Sequence, residues 1–154
     1  EVTVLLLEAT NGDEDMLDML LAHEYTHFIR RQILNKDIFE DSIGERFVTE
    51  GIASNYSREI VPNKKDSEYC IVSESTVDWV KNNINKIEQH MIKKINTPGL
   101  MSHYFYMFAD TNATNMPTRT GYVYGYLKVR EYLENNGLKI KDILGIDWRK
   151  VIDD

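Results

Sequence analysis

The chain has 154 residues, 42% of them apolar, which fits one domain with a packed core and not a disordered segment. Its net charge is −7 and its lysines and arginines form no stripe, which argues against a nucleic-acid partner. The single cysteine, Cys70, excludes an internal disulfide, and no run of about 18 apolar residues predicts a membrane span.

The chain begins with a segment, residues 1–7, that is rich in branched apolar side chains and is followed by a turn at Asn11-Gly12. This pattern predicts a β-strand. The segment has no methionine, basic stretch or cleavage site, so we expect a chain cut at its N-terminal side and not a signal peptide. Localisation is left open by the sequence, and the cytoplasm is slightly favoured over export because disulfides are absent.

Apolar residues with helical spacing dominate the rest of the chain. They recur every three or four positions, which predicts helices with one buried face. The predicted helices span roughly 16–35, 45–60, 77–95 and 121–136, followed by a short one at 139–144. The segment at 64–68 is polar and predicted to be exposed. The aromatic patch at 103–108 is more typical of core than of a substrate pocket.

Together these elements predict a mainly α fold of the α+β class, with an N-terminal strand and four or five packed helices. No repeat or linker divides the chain, so we expect a single domain over 1–154. The apolar stripe at 77–95 could pair with a partner in a coiled coil. Packing within its own domain is favoured, because the stripe holds barely three heptads.

His23-Glu24-Tyr25-Thr26-His27 places a His-Glu-x-x-His motif on the first predicted helix. Residues four apart lie about 40° apart around a helix axis, so both imidazoles can bind one ion. Glu24 lies about 100° further round than His23, where it can take a proton from water beside the ion. The alternative is an incidental amphipathic helix, which a preceding strand and turn disfavour.

A catalytic zinc ion normally has three protein ligands and a water molecule, so two histidines need a third partner. Glu50, on the second predicted helix and 23 residues after His27, offers a carboxylate. Gly51 and Ala53 are small and are predicted to let this helix approach the first one closely. The alternative is that Glu50 is a solvated charge on a helix surface.

The combination of His-Glu-x-x-His with Glu-Gly-x-Ala resembles the gluzincin metallopeptidases. More closely, the chain resembles the bacterial family of predicted zinc-dependent proteases called YjaZ-like, over nearly its whole length. This resemblance includes His23-Glu24-Tyr25, Glu50-Gly51-Ile52-Ala53, Pro117, Gly121-Tyr122-Val123-Tyr124-Gly125-Tyr126 and the tail. It implies a gluzincin-like motif helix, Zn²⁺ as cofactor and a peptide or protein as substrate.

One position departs from related sites, which often carry an acidic residue four positions after the glutamate ligand. Here that position is Ser54. Histidine ligands usually donate their second N–H to a carboxylate or a carbonyl, which fixes the orientation of the ring. If Ser54 does not serve, a backbone carbonyl or another acid such as Glu59 must do so.

A donor to the oxyanion is predicted near the last long helix. Tyr122 is the first choice for this donor. It begins a Tyr-x-x-Gly pattern that resembles the one on the helix that presents the oxyanion tyrosine in the aminopeptidase branch of the gluzincins. Tyr126 is the second and His103 the third, and a buried core tyrosine is the alternative reading of Tyr122. Gly121 and Gly125 leave a strip of this helix without side chains, which suggests that the backbone of another element approaches it closely.

The predicted activity is hydrolysis of a peptide bond, with zinc held by His23, His27 and Glu50, and with Glu24 and Tyr122 as catalytic residues. The first strand is predicted to bind an extended peptide by its free edge. Two rivals are a zinc-stabilised interaction domain without turnover and a metal-free helical domain that uses the stripe at 77–95. Arg119 could meet a substrate carboxylate or be a surface arginine.

Overall fold

The structure, a computed structural model, describes residues 13–35, 41–91, 94–98, 107 and 115–152. Its helices are α1 (Glu14–Leu34), α2 (Ile43–Ile60), α3 (Asp66–Cys70), α4 (Glu74–Asn82), α5 (Ile84–Met91), α6 (Thr120–Asn136), α7 (Ile140–Ile143) and α8 (Arg149–Ile152). The predicted mainly α fold is confirmed for these ranges. The predicted strand at 1–7 lies outside the described residues, as does nearly all of the aromatic patch.

No helix within the described ranges combines the length and apolar character needed to cross a bilayer. Buried apolar side chains of α2, α4, α5 and α6 contribute most of the core.

Helix α1 carries the His-Glu-x-x-His motif and has well-defined ends. The Asp13 side chain accepts a hydrogen bond from the backbone N–H of Met16 at 3.1 Å, and acidic residues fill the first turn beside the positive end of the helix dipole. The helix ends at Asn35, whose left-handed φ of 48° closes the last turn. The motif therefore lies in the middle of a stable 21-residue helix, as the sequence predicts.

Helix α2 is buried on nearly all sides and packs between α1 and α6. It runs antiparallel to α1, and side chains join the two helices at both ends. Near one end, the Ser57 hydroxyl donates to the carbonyl of Met19 at 2.7 Å. Near the other, Arg30 donates to Thr49 Oγ1 at 3.1 Å and to the Glu45 carboxylate at 2.5 Å. The centres of the two helices are thereby held face to face.

The contact between α2 and α6 brings backbone against backbone. A Cβ atom added to Gly51 would lie 2.2 Å from the carbonyl oxygen of Gly125, and one added to Gly125 would lie 2.0 Å from that of Phe47. Asn55 Nδ2 donates to the carbonyls of both Gly51 and Tyr126, at 2.8 and 2.9 Å. Glycine is therefore required at this crossing because any side chain would force the helices apart.

These contacts correct one prediction and confirm another. Gly51 does not serve the approach of α2 to α1, because its bare face meets α6 on the other side. Close approach of another backbone to the glycine strip of α6 is confirmed at Gly125. A glycine in a helix indicates close packing, but the sequence does not say which neighbour it meets.

The polar segment at 64–68 is only partly exposed, which corrects the prediction. Helix α3 begins within it at Asp66, and Ser67 is buried. The backbone N–H of Lys65 donates to the Glu68 carboxylate at 2.8 Å, so local hydrogen bonds start a short helix without an apolar stripe.

The stripe at 77–95 is not one helix. It divides between α4 and α5 at Asn83, whose φ of −129° and ψ of 20° are not helical. The Asn83 side chain donates to the carbonyl of Trp79 at 2.8 Å and so competes with the backbone for that acceptor. Its apolar positions still face inward, and the buried ones pack with residues of α2 and α6 in one core cluster: Val77, Val80, Ile87 and Met91.

Substitution of Gly51 by alanine tests the helix crossing. We expect Gly51→Ala to lower the free energy of unfolding by about 1–3 kcal/mol, because the added methyl group must push against backbone. For a chain of this size the melting temperature then falls by about 3–10 °C. Asn135→Ala, at an exposed position of α6, is the control and should change it little. An unchanged melting temperature for Gly51→Ala would contradict the crossing.

Candidate metal centre

The structure brings His23, His27 and Glu50 together between α1 and α2. Glu50 Oε2 lies 3.2 Å from His23 Nε2 and 3.4 Å from His27 Nε2. The two imidazoles meet edge to face, with ring centroids 4.8 Å apart and an angle of 76° between their planes. One ligand atom from each residue lies within 4.8 Å of the others, so the three can hold a metal ion.

The distances from Glu50 to the two imidazoles are compatible with zinc. A tetrahedral ion with ligands at about 2.1 Å holds neighbouring donor atoms about 3.4 Å apart. The two distances from Glu50 to the imidazoles, 3.2 and 3.4 Å, are close to that value. Two imidazoles and one carboxylate also form a donor set that zinc prefers. The donor set and the two distances from Glu50 therefore suit a Zn²⁺ ion, and the three ligand atoms lie within 4.8 Å of one another.

Electrostatic attraction between Glu50 and the histidines determines the charge of the cluster. Burial by itself would raise the pKa of Glu50, but the charge of His27 and hydrogen bonds from both histidines outweigh burial and hold that pKa well below its usual range. Burial would lower the pKa of His27, but the Glu50 carboxylate outweighs it and raises that pKa. Glu50 is thus a carboxylate at neutral pH, the form in which it binds a metal.

The cluster forms part of the wall of a cavity of about 400 Å³. Glu24 follows His23 on α1, is exposed to solvent and lines the same cavity. Tyr122, in the first turn of α6, also lines this cavity. All five site residues predicted from the sequence therefore border one space: His23, Glu24, His27, Glu50 and Tyr122.

The two candidate tyrosines of α6 occupy different environments. Burial, and then the negative charge of Glu50, raise the pKa of Tyr122 to about 12, so its hydroxyl keeps its proton at neutral pH. Tyr126 is fully buried, its hydroxyl donates to Asp66 Oδ1 at 2.9 Å, and it does not line the cavity. The third candidate, His103, lies outside the described residues.

A family model described as "Predicted Zn-dependent protease (DUF2268)" matches residues 1–153. The chain belongs to this family. The match agrees with the resemblance to the YjaZ-like predicted zinc-dependent proteases, and the residues quoted for that resemblance lie within it. No curated protein and no solved structure gives a significant match.

Ser54 and Glu59, the two side chains considered as hydrogen-bond partners of the histidines, differ in their position relative to the cavity. Ser54 follows Glu50 by one helical turn and lines the cavity, and its buried Oγ has no hydrogen-bond partner among the described residues. Glu59 does not line the cavity, and its carboxylate accepts a hydrogen bond from the backbone N–H of Ile140, at the start of α7, at 3.1 Å. The prediction that Glu59 could orient a histidine is therefore wrong.

Arg30 is a site residue that the sequence analysis did not identify. Its side chain is 1% exposed and borders the cavity one turn beyond His27. Besides its bonds to α2, it donates to the carbonyls of Leu144 and Ile146, at 2.7 and 3.1 Å. The available signal was its position on the face of α1 that also carries His23 and His27, where a lone charge needs partners.

Metal analysis tests the ligand set. We expect the protein, loaded with zinc and then desalted, to retain about one ion per chain. Substitution of His27 or Glu50 by alanine should weaken zinc binding more than about 100-fold, because two ligands do not hold the ion against solvent. His90→Ala removes an exposed histidine outside the cluster and should bind like the parent protein. Equal binding by all variants would refute the site.

Proposed function

We propose that this chain is a gluzincin-type zinc metallopeptidase that uses water to hydrolyse peptide bonds. The observation that carries the proposal is one cavity bordered by a zinc-compatible cluster, an exposed glutamate and a protonated tyrosine. Membership of a family of predicted zinc-dependent proteases supports the cofactor and the class of enzyme.

His23, His27 and Glu50 would hold the ion. Zinc in such a site lowers the pKa of water and polarises the carbonyl of the bond to be cleaved. The three side chains come from the centres of α1 and α2, which are joined by hydrogen bonds at both ends. The ligands are thus positioned by regular secondary structure, which holds a metal site more rigidly than loops do.

Glu24 is the proposed general base. It is adjacent to His23 on α1, so its carboxylate is presented to the same cavity without being part of the ligand cluster. In this position it can accept a proton from the attacking water and pass it to the nitrogen of the leaving amine. Its exposure keeps the path for this proton open to solvent.

Tyr122 is the proposed donor to the oxyanion. The attack of water on an amide builds negative charge on the carbonyl oxygen, which a fixed hydrogen-bond donor stabilises. The raised pKa of Tyr122, about 12, keeps its hydroxyl protonated. The engagement of Tyr126 with Asp66 and its absence from the cavity wall support the choice of Tyr122.

A second cavity of about 510 Å³ adjoins the first and shares His23, Leu20, Tyr69 and Ile71 with it. Met16 and Met19 contribute further apolar surface to its wall. We propose a peptide or protein substrate that lies across both cavities and places an apolar side chain in the second one. We also propose that residues 1–154 belong to a single metallopeptidase-like domain.

The alternative is a zinc-stabilised interaction domain without turnover. It is favoured by apolar side chains on the outer face of α1, where Leu21, Tyr25 and Phe28 are 40%, 57% and 46% exposed. Large exposed apolar groups on one helix face are typical of contact surfaces. This alternative gives no role to Glu24 and Tyr122 at the cluster, which is why we prefer the enzyme.

Substitution of Glu24 by glutamine separates the two functions. We expect Glu24→Gln to retain zinc and to lower kcat by about 10²- to 10⁴-fold, because the amide cannot accept the proton of water. The measurement is cleavage of a fluorogenic peptide pool together with zinc content. Glu131→Gln, exposed on α6, is the matched control. Full turnover by Glu24→Gln would show that another group is the base.

The tyrosines are distinguished by a pair of matched substitutions. We expect Tyr122→Phe to lower kcat by about 10²- to 10³-fold with little change in KM, because its hydroxyl acts mainly in the transition state. Tyr126→Phe removes a hydrogen bond to Asp66, so it should lower the melting temperature and change kcat only a few-fold. The reverse pattern in steady-state kinetics would assign the role to Tyr126.

A further inference from the structure

Arg119 brings a positive charge into the wall of the cavity that holds the metal cluster. Its Nε is buried and has no hydrogen-bond partner among the residues that the structure describes. The guanidinium carbon lies 4.1 Å from the centroid of the Tyr122 ring. A guanidinium held over an aromatic ring keeps its orientation and can present the N–H groups at its edge to another molecule.

The other arginines of the cavity are already engaged. Arg30 pairs with Glu45 at 2.5 Å, and Arg46 pairs with Asp41 at 3.5 Å. Arg31 also has an interaction with another group. Within 13–35, 41–91, 94–98, 107 and 115–152, Arg119 makes no ion pair, although it is half-buried. A partly desolvated cation of this kind is stabilised when an anion reaches it.

The net charge of the cavity lining also favours the binding of an anion. Among the described residues, four arginines and four carboxylates line it, so these groups balance before a metal is bound. A divalent ion at the cluster then leaves this described lining with a net charge of about +2, while the chain carries −7. The cavity is thus a local positive region that attracts an anionic group of a substrate.

The backbone fixes where this arginine lies. Arg119 is the N-cap residue of α6 and has a left-handed conformation, with φ of 65° and ψ of 20°. Residues other than glycine adopt this conformation only where the surrounding structure holds them in it. Its position, three residues before Tyr122, places a cation next to the proposed oxyanion donor.

We infer that Arg119 binds a carboxylate of the substrate in the cavity where the bond is cleaved. The carboxylate is either the C-terminus of a peptide or the side chain of an aspartate or glutamate, and two parallel N–H···O bonds would hold it. The inference rests on the proposed function in that it names the substrate class of the same site. It makes Arg119 a specificity-determining residue.

The test compares Arg119→Met and Arg119→Lys with the parent chain. The probes are fluorescein-labelled randomised hexapeptides in two matched pairs. One pair has a free C-terminal carboxylate or a C-terminal amide, and the other has glutamate or glutamine at a fixed internal position. Hydrolysis is measured with the zinc-loaded parent chain and variants. Binding is measured by fluorescence anisotropy in a Glu24→Gln background, which does not require turnover.

We expect the parent chain to prefer one carboxylate probe over its neutral counterpart. Arg119→Met should lower the preference for that probe over its neutral counterpart, in binding and in kcat/KM, by about 10- to 100-fold. Arg119→Lys should recover part of the preference, because it keeps the charge but loses the paired donors. Arg149→Met is the matched control, since Arg149 lies over the Trp148 ring away from the cavity.

The outcome also identifies the source of the carboxylate. Sensitivity confined to the first pair assigns a peptide C-terminus, and sensitivity confined to the second assigns an acidic side chain. An equal loss on all four probes, or no carboxylate preference in the parent chain, overturns the inference. If carboxylate binding depends on Arg119 but no probe is hydrolysed, the proposed function fails and the binding site stands. Melting curves of both variants verify that they are folded.

Discussion

The arrangement of the site depends on the hydrogen bonds of one buried guanidinium, that of Arg30. A charge removed from water costs several kcal/mol unless it is fully paired, so its partners cannot move independently of it. Those partners come from α2, through Glu45 and Thr49, and from the carbonyls of Leu144 and Ile146. One side chain thereby joins α1, α2 and the segment before α8, one turn away from His27.

The register that this network sets determines whether a metal can bind. A helix advances about 1.5 Å per residue, whereas metal–ligand distances tolerate deviations of only about 0.2 Å. A shift of α1 along α2 by a single residue would therefore separate the two imidazoles from Glu50. Ser57, which donates to the carbonyl of Met19, restrains the opposite end of the same helix pair. The packing of the helix pair and the geometry of the candidate metal centre thus depend on the same hydrogen bonds.

Local patterns explain what the sequence could predict. The spacing of His23 and His27 and the end of α1 at Asn35 follow from the geometry of a single helix. Glu50 was predicted as their partner because a catalytic zinc ion needs a third protein ligand, and the family resemblance agreed with that choice. The break at Asn83 escaped prediction because a side-chain hydrogen bond outweighs an unbroken apolar period. The role of Arg30 escaped because its partners lie as far as 116 positions away in the chain. Long-range partners of this kind leave no periodic trace in a sequence.

The two walls of the cavity differ in how they are attached to α2. Helix α6 meets it through the backbone contacts of Gly51 and Gly125, and glycine has no rotamers through which such a contact could relax. Helix α1 is attached through side chains, namely the buried guanidinium of Arg30 and the hydroxyl of Ser57. A substitution that removes a hydrogen bond can therefore loosen the wall that bears the histidines, whereas the wall that bears Tyr122 shifts only when backbone is displaced.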